Sequence, residues 1–384
     1  MSEVVRQPRL AEKRESLAAL TGLRFFAAAW VVFYHHAAAA LPTRTPSGLR
    51  NAASHGYLGV NFFYLLSGFI LAYSYAERSA SVVALRGTRR AFWMNRFSRV
   101  FPLYFTAWLV TAPFVVAHRL ATDAAPLMRV LKLVVAAVVS LGLVQAWLPG
   151  AHAWWNPPSW SISVEAFFYA IFPWVLPRLL SQRTSRRGLA LVVWMSSLLV
   201  PILYMMFGVG DLQLAAVKYQ PLLHVPTFVL GILLADVFHA QLADPANGSR
   251  VLRRPLLLGA LGLGAIALVV SRPVSAFHPL IHNGLLSPAF AAVMLAVALK
   301  ASPVSVALSG PTLVRLGEAS FGIYILQAPL WLVWRKNVSG LSSGVDFAIF
   351  FVMLCSVAMV THRAIELPLQ RRLRGFSRAN PSSG

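Results

Sequence analysis

Long apolar runs dominate the chain, and most are separated by little polar sequence. They fall near 21–41, 57–76, 100–118, 130–148, 160–180, 191–207, 221–238, 255–271, 284–300, 315–334 and 345–363. Most approach the roughly 20 apolar residues that a helix needs to cross a bilayer. The pattern predicts an all-α fold, a polytopic membrane helix bundle. Only 77–99 and 239–254 form sizeable polar loops, and no internal repeat or second soluble domain stands out. The expected layout is a basic segment 1–20, a transmembrane domain 21–363 and a basic tail 364–384.

Charge decides how many runs cross. Cytoplasmic loops of membrane proteins collect Lys and Arg. By that rule both termini are cytoplasmic, with Arg371, Arg372 and Arg374 following the last run. The same rule places inside the loop with Arg78, Arg86, Arg89, Arg90, Arg96 and Arg99, and the loops with Arg183, Arg186, Arg187 and with Arg250, Arg253, Arg254. Eleven crossings cannot satisfy this, so about ten helices span and one run between 100 and 148 does not. The run 100–118, which carries Pro102 and Pro113, is the expected one, dipping in and returning. Such backbone survives at membrane depth only inside protein or along a cavity.

Composition narrows the class. Of the 384 residues 58% are hydrophobic and 12% charged, against roughly 25% charged in a soluble domain. The net charge of +22 would suggest nucleic acid in a soluble protein, but here the arginines lie between apolar runs. Cys355 is the single cysteine, which excludes an internal disulfide, and it reads as a packed small residue. The basic start before Ala37–Ala40 resembles a signal peptide, yet its run is too long and is interrupted by Arg24, His35 and His36. It reads as a retained first helix.

Ionisable groups inside a membrane are costly and are functional candidates by default. Arg24 and His35 are eleven residues apart, about three turns and roughly 16 Å, so they share a helix face. Arg24 is then expected at the cytoplasmic mouth and His35 near mid-membrane. A guanidinium suits phosphate and an imidazole suits proton transfer; the plain alternatives are a snorkelling arginine and a packing histidine. His36 points away and is the weaker base. Arg96 and Arg99, one turn apart, can face one anion, or simply mark a cytoplasmic loop. Asn61 can line a site, whereas Ser67-Gly68 reads as close helix packing. Ser161 and Glu165 share a face, and a carboxylate there needs a partner: it orients a histidine or an acceptor hydroxyl, or the pair caps a helix. Glu318 and Glu366 read as structural acids. No metal is expected: His278 and His282 fall in an exposed loop without a third ligand. No glycine-rich phosphate loop occurs.

Taken in order, these motifs resemble bacterial acyltransferase family 3, polytopic O-acyltransferases of polysaccharides, lipids and natural products, from about residue 17 to 372. The resemblance rests on Arg24 and His35, on Gly59 to Phe69 with Asn61 where an acid is common, on Arg96-x-x-Arg99-x-x-Pro102, on Trp160 to Glu165, and on Glu366-x-Pro368. Where many members carry a histidine this chain has Gln327. The run Leu20 to Phe26 is similar to that of macrolide acyltransferases and of exopolysaccharide acetyltransferases, among the members with no appended esterase-like domain. The resemblance implies His35 and Glu165 as catalytic residues and Arg24, Arg96 and Arg99 as the binding site for acyl-CoA, expected to be acetyl-CoA. It also implies Asn61, Trp160, Ser161 and Ser163 around a hydroxyl-bearing saccharide or natural product. The setting implied is multi-pass in a bacterial cytoplasmic membrane. The competing readings are a transporter or flippase, since buried charges also mark transport pathways, and a membrane scaffold.

Overall fold

The computed structural model describes residues 10–37, 41, 45–79, 82–122, 125–181, 185–208, 210–243, 254–274, 277–299, 302–338 and 343–379, with side chains 10–17 and 374–379 left aside. Arg183, Arg250 and Arg253, which carry part of the sidedness argument, lie outside these residues, as do positions 1–9 and 38–40.

Helices make up nearly all of the described chain; the one exception to the all-α expectation is a two-stranded hairpin, Ala76–Arg78 against Val83–Leu85. Among the described residues eight helices are long and apolar enough to cross a membrane. The pair Pro311–Glu318 and Ser320–Asn337, bent by 57°, makes nine as a single span. The shortfall from ten is Pro255–Val270, an apolar helix of 16 residues, about 24 Å long against the ~30 Å hydrocarbon core. The outer surface is apolar, with Leu127, Val192, Leu261 and Val352 each more than 60% exposed. A protein facing water does not expose so much aliphatic surface on every side.

The expectation that 100–118 dips and returns is overturned. Those residues belong to one unbroken helix, Arg89–Thr122, with Pro102 and Pro113 inside it. Proline is tolerated in such helices because neighbouring groups re-satisfy the freed backbone. The short helix of this stretch is Pro126–Leu141, 16 residues and not among the eight. Its last turn lies beside the middle of the Arg89 helix: the Tyr104 hydroxyl donates to the Ser140 carbonyl at 2.6 Å, and Trp108 Nε1 donates to Ser140 Oγ at 2.8 Å. The chain turns there through Leu143, whose φ of +55° is uncommon for a residue with a Cβ. Ser163 Oγ donates to the Leu143 carbonyl at 2.5 Å and accepts from Ala146 N at 3.3 Å, fixing the turn.

Small residues set the helix spacing. A Cβ on Gly68 of the Leu58–Tyr75 helix would stand 2.0 Å from the Phe228 carbonyl, and one on Gly231 of the Pro221–Ala243 helix 2.0 Å from the Leu65 carbonyl. The two glycines face each other's backbones, the close approach that drives helix association without a hydrophobic effect. The core behind them is aromatic, with Phe168 stacked on Phe228 at 4.5 Å. At one end Asp236 receives Arg78 from the hairpin and Arg186 from the start of the Arg186–Phe207 helix, each at 2.9 Å.

Candidate active site

Arg96 and Arg99 are not loop residues. They stand in the second and third turns of the Arg89 helix, which carries them against Arg24 of the first helix, Leu10–Val32. With Glu165 of the Trp160–Ser181 helix they line one cavity of about 320 Å³, together with Ser67, Ser161, Tyr169 and Tyr324. Among the described residues none of the three guanidiniums forms an ion pair within 4 Å. Arg24 lies within electrostatic range of Arg99, which repels it, and of Glu165 and Glu366, which attract it. Arg96 sits over the rings of Tyr75 and Tyr169 at 5.7 and 5.9 Å, and its buried Nε has no partner. Three cations facing one carboxylate make a site for an anion with several charges.

Glu165 is not a helix cap. Its Oε1 accepts from Ser67 Oγ at 3.2 Å and from the Tyr169 hydroxyl in a short hydrogen bond. The Ser161 and Tyr324 hydroxyls lie 2.7 Å apart and 3.1 and 2.8 Å from the Pro158 carbonyl, so their two protons serve two of these three contacts at a time. The sequence reading leaves Tyr169 and Tyr324 without a role and gives Ser67 to helix packing. Tyr169 was findable, being four residues past Glu165 and therefore on its face.

His35 is not among the residues lining this cavity. It lies in a π-turn, Phe33–Ala37, that ends the first helix; π-bulges recur at functional sites. The candidate span runs Ala18–Ala37 and includes His35. His35 keeps an accessible face. Its Nδ1 contacts the Val31 carbonyl at 3.0 Å and Gln327 Oε1 at 3.2 Å. A carbonyl can only accept, so Nδ1 carries the proton and Nε2 keeps its lone pair. Gln327, fully buried, is held in turn by donating Nε2 to the Tyr324 carbonyl at 2.9 Å. The orienting partner of His35 is therefore Gln327, not Glu165. Tyr324 also links the two regions, since it lines the cavity one turn before Gln327 on the Ser320 helix.

The remaining candidates lie outside the cavity. Asn61 is buried and donates to the carbonyls of Ile281 and His282. Trp160 packs edge-on to Tyr219 at 4.8 Å, and Ser163 serves the Leu143 turn. His282 is buried in a short helix, His278–His282, rather than in an exposed loop. Among the described residues no group of three or more His, Cys, Asp or Glu could hold a metal. Glu366 is fully buried and takes His362 Nδ1 at 2.9 Å and Gln370 Nε2 at 3.1 Å.

A helix bundle with an apolar exterior is a polytopic membrane protein, and this one carries a cavity lined by three arginines. The sequence goes further: the profile of acyltransferase family 3, described as an acyltransferase domain, matches residues 17–363, and the chain belongs to that family. It is 30% identical over 330 residues to the acyltransferase MdmB of Streptomyces mycarofaciens, covering 81% of this chain and 78% of that protein. It is 24% identical to the putative peptidoglycan O-acetyltransferase YrhL of Bacillus subtilis and 22% identical to the O-acetyltransferase OatA of Staphylococcus aureus. Those matches cover 94% and 93% of this chain but only 56% and 57% of the two relatives. No solved structure matches. The protein is an acyltransferase enzyme, which sets the transporter and scaffold readings aside.

Proposed function

We propose that the enzyme moves an acyl group, acetyl being the expected one, from acyl-CoA to a hydroxyl of a saccharide or of a natural product such as a macrolide. The observation that carries the donor is the convergence of Arg24, Arg96 and Arg99 on one cavity without ion pairs. Coenzyme A presents phosphates that match it. Arg24 and His35 are about 16 Å apart at 1.5 Å per residue, a separation an extended pantetheine arm can span. Glu165 and Ser161, which line the same cavity as Arg24, offer acceptors to the arm's amide and hydroxyl groups.

At the far end His35 Nε2 takes the proton from the acceptor hydroxyl, and the oxygen attacks the thioester carbonyl. The tetrahedral adduct collapses with loss of the CoA sulfur, which the imidazolium protonates. Gln327 and the Val31 carbonyl hold the tautomer that leaves Nε2 free. The setting we infer is a bacterial cytoplasmic membrane, with both termini and the arginine-lined mouth on the cytoplasmic side.

The test is thioester turnover by purified protein, wild type against His35→Ala. Loss of a general base costs about 10²–10⁴-fold. Near-full activity in a folded His35→Ala protein would sink the proposed role of His35.

A further inference from the structure

A second concavity, of about 350 Å³, opens on the outer face between the Arg89 and Trp160 helices. It exists because Ala166 and Ala170, one turn apart on the Trp160 helix, lack the bulk to meet Phe97 and Val100 opposite. One end is marked by Trp93 and Trp174, whose rings lie 5.4 Å apart, with Arg89 over Trp174 at 5.1 Å. Tryptophan beside arginine is the signature of the membrane–water boundary. The other end runs eight residues along the helix to Phe101 and Leu143, about 12 Å deeper. The walls are apolar; the charged exception is Arg96, which together with Ile162 and Tyr169 also lines the cationic cavity.

We propose that this groove binds one anionic phospholipid, with an acyl chain between Ala170 and Leu143 and the phosphate at Arg89. Three observations select that occupant. The groove is apolar along its length and has a cation at its boundary end. That cation is not consumed by an acid: among the described residues Arg89 forms no ion pair and sits over the Trp174 ring. The groove also opens where Trp93, Phe97 and Trp174 are exposed on the outer surface. The chain would press on the side of Tyr169 and Arg96 facing away from the cavity. Trp93 Nε1, which donates to the Tyr169 carbonyl at 3.0 Å, would transmit the contact.

The binding claim stands apart from the acyl-CoA reading and is tested without turnover. Delipidated protein is titrated with dioleoylphosphatidylglycerol or dioleoylphosphatidylcholine, and bound lipid is counted by native mass spectrometry. The wild type is expected to take one phosphatidylglycerol with about fivefold preference over phosphatidylcholine, the size set by one basic residue at an anionic headgroup. Ala166→Phe with Ala170→Phe fills the groove and is expected to abolish that first binding event. Arg89→Gln keeps the groove and is expected to lose only the headgroup preference. Thermal melts of both variants check that they fold. Equal binding of the two lipids by the wild type, or undiminished binding by the folded groove-filled variant, would overturn the proposal.

Discussion

Replacing Gln327 with Leu separates orientation of the base from the base itself. The side chain is fully buried and its Oε1 lies 3.2 Å from His35 Nδ1. Leucine keeps most of the volume and removes the acceptor. A second acceptor remains, the Val31 carbonyl at 3.0 Å, so the tautomer survives and only one neutral hydrogen bond is lost. Such a bond contributes about 0.5–1.5 kcal/mol net, and about 1.4 kcal/mol is tenfold in rate. Transfer should therefore fall roughly 2- to 13-fold, far less than the loss expected for His35→Ala. The assay is acetyl-CoA turnover at saturating donor, with donor binding measured separately so that a kcat effect is not mistaken for weaker binding. A Gln327→Leu enzyme as impaired as His35→Ala, or one with unchanged kcat, would refute the orienting role.

Two further outcomes test the scaffold. Gly231→Ala places a methyl 2.0 Å from the Leu65 carbonyl, a backbone atom that cannot give way without parting the helices; overpacking costs about 1–3 kcal/mol or more, so a lowered Tm and reduced yield of monodisperse protein are expected, and an unchanged melt would contradict the close crossing. Ser163→Ala removes the donor to the Leu143 carbonyl and leaves that half-buried turn short of a partner, at about 0.5–1.5 kcal/mol; faster hydrogen exchange confined to 142–146 is expected, and unaltered protection there would contradict the turn-holding role.

The bundle was legible because each helix must be apolar for its whole length, which a single sequence displays. Arg24, Arg96, Arg99, Ser161 and Glu165 were legible as a group because ionisable and polar groups inside apolar runs are few, and the structure brings them to one cavity. What the sequence hid was local backbone and partnership. Pro102 and Pro113 looked like breakers, yet they sit within the Arg89 helix. The real turning point at Leu143 depends on a hydrogen bond from Ser163, twenty residues away. The π-turn that carries His35 has no mark in its residues Phe33–Ala37, and its contact with Gln327 joins positions 292 residues apart. Asn61 and Trp160 do not line that cavity: Asn61 donates to the Ile281 and His282 carbonyls, and Trp160 packs against Tyr64, His224, His282 and Tyr219.

The central claim is that three unpaired arginines hold the phosphates of the acyl donor. It is tested most directly by calorimetric titration of coenzyme A into the purified wild type and into Arg24→Gln, Arg96→Gln and Arg99→Gln. A hydrogen bond to a charged group is worth about 1.5–3 kcal/mol, so each substitution should raise Kd roughly 10- to 150-fold. Coenzyme A affinity unchanged in all three folded variants would contradict the account and place the donor elsewhere.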